Sequence, residues 1–212
     1  MSIENNHVKL VYDTIANDFD TTRYRPWSCV ENFLDDIPPG STIGDIGCGN
    51  GKNMLYRKDC INIGCDFSKN LVKICNHKNL NVIEGDILNI PFKDNTFDYT
   101  ICIAVIHHLS TNEKRKTAIS ELQRITNPNG KILILVWAFE QEDNSRRKFS
   151  QQENFVDWKD KNQKILGKRY YYVFKKNELI NLLPNNSVLI NSFYEKGNWG
   201  IIIHSNSDKP YL

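Results

Sequence analysis

Short apolar runs alternate along this chain with longer stretches patterned at helical spacing. "STIGDI" (41–46), "INIGCD" (61–66), "NVIEGD" (81–86), "FDYTICIAV" (97–105) and "KILILVW" (131–137) are too short for core helices. They read as strands buried on both faces. Helical stretches separate them at 50–58, 68–77 and 111–126. The last opens on Thr111 and Glu113, carries Ala118, Ile119, Leu122 and Ile125 on one stripe, and stops at the turn "NPNG" (127–130). Two further helices precede the first strand. Residues 7–19 align Val8, Val11, Tyr12, Ile15 and Phe19, and residues 28–35 follow Pro26-Trp27. Such alternation predicts an α/β fold, a parallel sheet with helices on both faces. The tail differs: "SVLINSFYE" (187–195) and "NWGIIIH" (198–204) flank "KGN", which predicts a hairpin-like pair of strands. Residues 140–168 form the one long polar stretch, expected as a loop or insertion.

Composition narrows the class. A chain of 212 residues with 40% hydrophobic content suits one globular domain spanning 1–212. No apolar run approaches the ~18 residues of a membrane span. The polar start "MSIENNHVKL" lacks a signal peptide's apolar segment, so a cytoplasmic or nuclear location is expected. The six cysteines form no CxxC pair and no zinc-ligand spacing, and Cys65 and Cys102 fall in apolar runs as reduced core residues. Charge is uneven. Residues 145–176 hold ten Lys or Arg against three acids, on a chain of net charge +2. A basic segment of that kind suits a polyanionic partner or a solvated loop.

The candidate chemistry lies in "GDIGCGNGKN" (44–53), where Asp45 precedes glycines 47, 49 and 51 just after a strand. Glycine lets the backbone turn tightly and approach a ligand. A helix starting near Asn50 would aim free N–H groups at the same crevice. A dinucleotide turn is spaced GxGxxG, and a carboxylate so close would repel a pyrophosphate. A ligand bearing an ammonium and a sulfonium favours it, which points to S-adenosylmethionine over NAD. Asp66 ends the second strand, where an acid can accept ribose hydroxyls, and Asp86 ends the third, beside Ile87, where it can meet an adenine.

This arrangement resembles the class I S-adenosylmethionine-dependent methyltransferases. The resemblance implies a Rossmann-like seven-stranded sheet in order 3-2-1-4-5-7-6, with strand 7 antiparallel. It assigns Asp45, Gly47, Gly49 and Gly51 to the methionine end of the cofactor and Asp66 with Phe67 to the ribose. Asp86 and Ile87 go to the adenine, and Ala104 to the fourth-strand motif beside the methionine. A narrower resemblance runs through "VYDTIANDFDTTRYRPW", "CIAVIHHLST", "VWAFEQE", "RYYYVFKKNEL" and "YEKGNWGIII". These motifs look like the tRNA uridine carboxymethyl methyltransferases, including the methyltransferase domain joined to AlkB-type hydroxylases in animals. That family methylates the carboxylate of 5-carboxymethyluridine at the wobble position.

By that resemblance Arg23, in the TR-x-x-PW pattern, is expected to hold the substrate carboxylate, ahead of Arg25. His107 and His108 are expected to face the substrate, with one of them functional. Trp27, and Arg169 with the run Tyr170 to Tyr172, are expected against the RNA, with alternation burying at least one tyrosine, and Asn198 and Trp199 at the pocket floor. The N-terminal helices (1–40) would close the site. The insertion before "RYY" is shorter here than in many members, so the tRNA anticodon loop must be held by this domain, a partner or both. The family also implies a small zinc-binding activator protein. The third strand would be a sheet edge, and Leu80 to Asp86 offers a place for it. Two other readings stay open: a class I methyltransferase acting on a small acid or quinone, and a catalytically silent scaffold with the same fold.

Overall fold

The computed structural model describes residues 2–185 and 187–205; the single-domain expectation also covers residues 1, 186 and 206–212, which lie outside the described residues. Among the described residues, nine strands and four α-helices follow one another. Helix α1 (Leu10–Asp20) continues from a π-helical turn (Asn5–Lys9), and α2 is Ser28–Asp35. Then come β1 (Thr42–Ile46), β2 (Ile61–Asp66), α3 (Lys69–His77), β3 (Val82–Glu84), β4 (Phe97–Ile103) and α4 (Asn112–Ile125). The chain continues with β5 (Thr126–Trp137), β6 (Glu153–Lys159), β7 (Ile165–Tyr172), β8 (Val188–Glu195) and β9 (Asn198–His204).

Seven strands form one sheet, ordered β3-β2-β1-β4-β5-β9-β8. The first five run parallel, and β9 inserts antiparallel between β5 and β8. With the β6–β7 pair set aside, this is the expected class I order. Both faces are buried, as the unbroken apolar runs require. Along β5, Ile132, Ile134 and Val136 meet α4 through Ile119 and Leu122, whereas Leu133 and Leu135 meet Val30 and Phe33 of α2. Helix ends follow local chemistry. Thr111 Oγ1 accepts the Lys114 N–H, and Ser68 Oγ accepts the Leu71 N–H, each at 3.2 Å. The six cysteines are free, with Cys65 and Cys102 buried in the core. Among the described residues no helix is long and apolar enough to cross a membrane.

Three expectations fail locally. Residues 50–58 form turns instead of a helix: the Tyr56 N–H reaches only the Asn53 carbonyl. Arg57 explains this, because its guanidinium bonds the carbonyls at the end of α2 (Leu34, Ile37) and the Asp59 carboxylate, pulling the segment sideways. "NPNG" does not end the helix in a free turn. It bulges inside a continuous β5, whose register against β4 jumps between Phe97 and Tyr99. The stretch 140–168 is not simply a loop, since β6 pairs with β7 in a separate two-stranded sheet. Asp160 closes that hairpin by accepting the N–H groups of Asn162 and Lys164.

The hairpin packs on the N-terminal helix. A Cβ built on Gly167 would lie 2.6 Å from Val11 Cγ1, so only glycine permits the approach. We expect Gly167→Val to destabilise the protein by about 1–3 kcal/mol in urea unfolding, the range for overpacking. Loss of less than a few tenths of that would show that the hairpin yields freely.

Candidate active site

The carboxyl ends of β1, β2, β4 and β5 open into one cavity of about 560 Å³. Its other wall is built by residues of α1, the segment after it, and β7. Ligands of open α/β sheets bind at this edge.

One end of the cavity is acidic. Asp66 and Asp86 line it, with Phe67, Ile87 and Ala104 among them, whereas Asp45 is buried and does not itself line the cavity. The glycine turn crosses it, held by hydrogen bonds from the N–H groups of Gly47 and Cys48 to the Cys65 carbonyl. Asp66 binds the turn to its own strand: Oδ2 accepts the Gly49 N–H at 2.7 Å and Oδ1 the Ser68 N–H at 2.8 Å. The free helical N–H groups expected near Asn50 are therefore replaced by a turn whose Gly49 donor Asp66 already takes. Gly47 and Gly49 line the cavity, but Gly51 does not; its φ of +76° and its contact with Leu80 make it a packing glycine. Ala104 holds a left-handed φ of +63°, a conformation costing about 1–3 kcal/mol and concentrated at functional sites. Asp45 is buried, with only a 3.4 Å contact from Asn53 Nδ2 to Oδ2, and its Oδ1 has no partner among the described residues. Burial pushes its carboxyl up to about 7, and pushes Asp66 up to about 6.

The other end is cationic and aromatic. Trp137, from the end of β5, stacks on Tyr171 of β7 at 4.0 Å and 10°. Arg147 lies over Trp137 at 4.4 Å, and Arg169 Nη1 donates to the Tyr171 hydroxyl at 2.7 Å. Arg23 stands over Phe19 at 5.1 Å, and its charge lowers the proton affinity of both Lys52 and Arg147, after the larger effect of burial. Among the described residues, none of Arg23, Arg147 and Arg169 has a carboxylate within salt-bridge distance.

The two histidines part company. His108 Nδ1 donates to the Tyr170 carbonyl at 2.6 Å, so Nε2 accepts from the Tyr12 hydroxyl at 3.0 Å. Both nitrogens are used within the protein, and burial drives this ring down to about 3. His107 Nδ1 accepts the Trp137 N–H at 3.0 Å, which puts the proton of the neutral ring on Nε2. Burial, then the charges of its neighbours, holds His107 well below the usual histidine range.

Several expected contacts need correction. Tyr170 does not line the cavity: on a strand it points opposite to Arg169, and Tyr171 takes the place instead. Asn198 and Trp199 do not line it either. Asn198 Nδ2 closes the β8–β9 turn on the Glu195 and Lys196 carbonyls, and Trp199 donates to Glu140. Arg25 reaches the cavity rim but is exposed and paired with Glu31 at 2.6 Å. Trp27 lines the cavity beneath Lys52, whose Nζ is 5.2 Å from the ring. Sequence reasoning missed Tyr12, Trp137 and Arg147, and it placed Tyr171 only within the Tyr170 to Tyr172 run expected against the RNA. Trp137 had a signal, the carboxyl end of a central strand, and Tyr171 had one in the alternation from Arg169. Arg147 had only its place in the basic run.

A seven-stranded class I sheet, a glycine turn and an acid at each of three strand ends define a methyltransferase site. The methyltransferase-domain family matches residues 44–134. A tRNA (carboxymethyluridine(34)-5-O)-methyltransferase of Schizosaccharomyces pombe is 39% identical over 96% of this chain and 98% of its own length. The enzyme of the same name, alkbh8, in Xenopus tropicalis is 35% identical over 95% of this chain, which spans only 41% of that longer protein. The chain belongs to the tRNA (carboxymethyluridine(34)-5-O)-methyltransferase family. Its fold also matches a chain from the complex of the Haloferax volcanii Trm112 methyltransferase activator with a methyltransferase, at 15% identity and TM-score 0.66, covering 94% of this chain and 98% of that one.

The raised pKa of Asp45 carries a sign. A carboxyl that holds its proton more tightly when folded adds stability below its unfolded value of 3.8, and this is lost as pH rises through about 7. Relative to Asp45→Asn, the unliganded protein should therefore gain about 1.4 kcal/mol of unfolding free energy per pH unit as pH falls from 7 to 4. A pH-independent difference between the two would show that Asp45 is ionised and compensated.

Proposed function

We propose that the protein transfers the methyl group of S-adenosylmethionine to the carboxylate of 5-carboxymethyluridine at the wobble position of tRNA, forming the methyl ester. The observation that carries this reading is the division of one cavity into an acidic end and an end of unpaired guanidiniums. A sulfonium and ammonium suit the first, and an anionic nucleophile suits the second. When bound, S-adenosylmethionine supplies an electrophilic methyl carbon: the O–CH3 bond forms as the S–CH3 bond breaks, its electron pair remains on sulfur, and no proton moves.

The chain's own residues then have three tasks. Asp45 in its ionised form takes the cofactor's ammonium, Asp66 with Phe67 the ribose, and Asp86 with Ile87 the adenine. Asp45 does not line the cavity itself, but its Oδ1 is buried without a partner beside the lining residues Ile46 and Gly47, which leaves it an acceptor for a cation. Arg23 and His107, which line the chamber, receive the substrate carboxylate. That group is already ionised at pH 7, so orientation and exclusion of water replace a strong base. His108 is read as a positioning residue, because both its nitrogens are engaged. Trp27 at the rim is available to a splayed base.

The basic segment supports an RNA substrate over a small acid or quinone. Of its ten cations, Arg147 and Arg169 turn toward the cavity, and the others, including Lys159, Lys161, Lys164 and Lys168, are exposed. Exposed cations of this kind position a phosphate backbone and make binding salt-dependent. We also propose a small zinc-binding activator on the edge strand β3. The surface is narrower than Leu80, Val82 and Ile83 together implied: Val82 is buried, Leu80 is half-buried, and Ile83 is exposed. The similarity to a methyltransferase solved with its activator supports that partner. A cytoplasmic or nuclear location follows from the tRNA substrate.

The direct test is methyl transfer from labelled S-adenosylmethionine to tRNA carrying 5-carboxymethyluridine, with and without activator, with nucleosides read by mass spectrometry. A methyl ester at the wobble uridine is expected. No transfer under either condition, with the cofactor bound, would return the substrate to the small-molecule class. Arg23→Ala is expected to lower kcat about ten-fold or more while changing the S-adenosylmethionine Kd little. Equal losses would move Arg23 to the cofactor's own carboxylate.

A further inference from the structure

We infer that Arg147 and Arg169, with the Nε2–H of His107, form a carboxylate clamp that distinguishes the acid substrate from its own methyl ester product. The inference rests on the carboxylate-methylation reading; it assigns Arg147, which the sequence left as part of a basic run, and moves Arg169 from the RNA surface to the substrate carboxylate.

Arg169 is 7% exposed, and its Nε has no hydrogen-bond partner among the described residues. A buried guanidinium nitrogen left without an acceptor is costly unless a ligand supplies one. The carboxylates lining the cavity cannot serve. Both oxygens of Glu4 are taken, Oε1 by Ser110 and Oε2 by Lys114, and Asp66 and Asp86 belong to the glycine-turn end. Arg147 comes from the segment after β5, half-buried over the Trp137 ring, and also lacks an acid partner.

Trp137 links the whole arrangement. Its N–H fixes the His107 tautomer, its ring carries Arg147, and it stacks on Tyr171, whose hydroxyl accepts from Arg169. The charged groups presented to the chamber at this end are therefore donors: the guanidiniums of Arg147 and Arg169, beside that of Arg23, with the His107 imidazole and the Tyr12 and Tyr171 hydroxyls among them. Donors without acceptors match a carboxylate, whose two oxygens only accept. They match a neutral ester less well and a carboxamide poorly, because its NH2 would face other donors.

Methylation removes the charge that the clamp holds. Binding energy given to the acid is thus withdrawn from the product, which favours release. The same donors would keep the carboxylate's second oxygen occupied while the first stays free to attack.

The test compares two anticodon stem-loop RNAs, one carrying 5-carboxymethyluridine and the other its methyl ester, for equilibrium binding with S-adenosylhomocysteine present. The wild-type protein, with activator if activity requires it, is expected to prefer the acid about ten-fold or more. Arg147→Gln and Arg169→Gln should each bring that ratio close to one, mainly by weakening acid binding, and Arg147→Lys should restore part of it. Arg169 is buried, so S-adenosylhomocysteine binding and thermal unfolding check that its variant is folded; half-buried Arg147 provides the independent variant. A wild-type ratio near one, or folded variants that keep the wild-type ratio, overturns the clamp. Methyl transfer by the wild type to the acid RNA, measured in parallel, tests the underlying reaction separately.

Discussion

The imidazole of His108 is the joint on which the chamber depends. It donates to the backbone of β7 at Tyr170 and accepts from Tyr12 of α1, and it sits in the turn just beyond β4. Three elements distant in sequence, at residues 12, 108 and 170, are thereby held at one edge of the sheet. Because both nitrogens are satisfied, the buried ring remains neutral, and it leaves no polar group unpaired at that depth. The hairpin of β6 and β7 also rests on the domain through Gly167 against Val11, His7 at the Lys168 carbonyl and Tyr171 stacked on Trp137. Through this joint, Arg169 and Tyr171 acquire fixed positions opposite the strand ends.

The second organising feature is segregation of charge within one cavity. Asp45 and Asp66 are buried without cationic partners, which is why their carboxyls are pushed toward neutrality. At the other end, guanidiniums stand without anions. Each set is unfavourable alone in a medium that solvates charge poorly. Folding tolerates both because the central strands bury Ile, Leu and Val on their two faces and stabilise the sheet independently of the cavity. The site's instability is then available to ligands of opposite sign, and the two ends impose the order in which those ligands lie. The strained Ala104 and the compact glycine turn sit at the acidic end, where backbone must come close without side chains intervening.

The backbone architecture was largely legible in the sequence because its signals are local or periodic. Apolar runs of strand length, a capped helix after Thr111 and a terminal strand pair are each decided within about ten residues. The acids at 45, 66 and 86 were legible for a related reason: the ends of parallel strands converge whatever the loops do. Failures occurred where a remote contact overrode a local preference. Arg57 reaches across to the end of α2 and prevents a helix over 50–58. Asn198 looked like a pocket residue by motif, yet its amide is consumed by the turn beside it.

Side-chain roles at the cationic end were decided by tertiary structure alone. Sequence set the two histidines side by side and the tyrosines in a row; it contained nothing to say which histidine retains a free N–H. That depends on the Trp137 amide meeting one ring while Tyr12 and the β7 backbone meet the other. Likewise, alternation along β7 requires Arg169 and Tyr171 to share a face, but only docking of the hairpin against α1 turns that face toward the cavity. What the sequence by itself determined was the alternation of strands and helices and the acidic half of the site, because hydrophobic periodicity and strand ends act over short distances; the strand order came from the resemblance to class I methyltransferases. The donor-lined half arises from contacts between residues up to 161 positions apart, such as His7 with the Lys168 carbonyl, and such pairings exist only once the chain has folded.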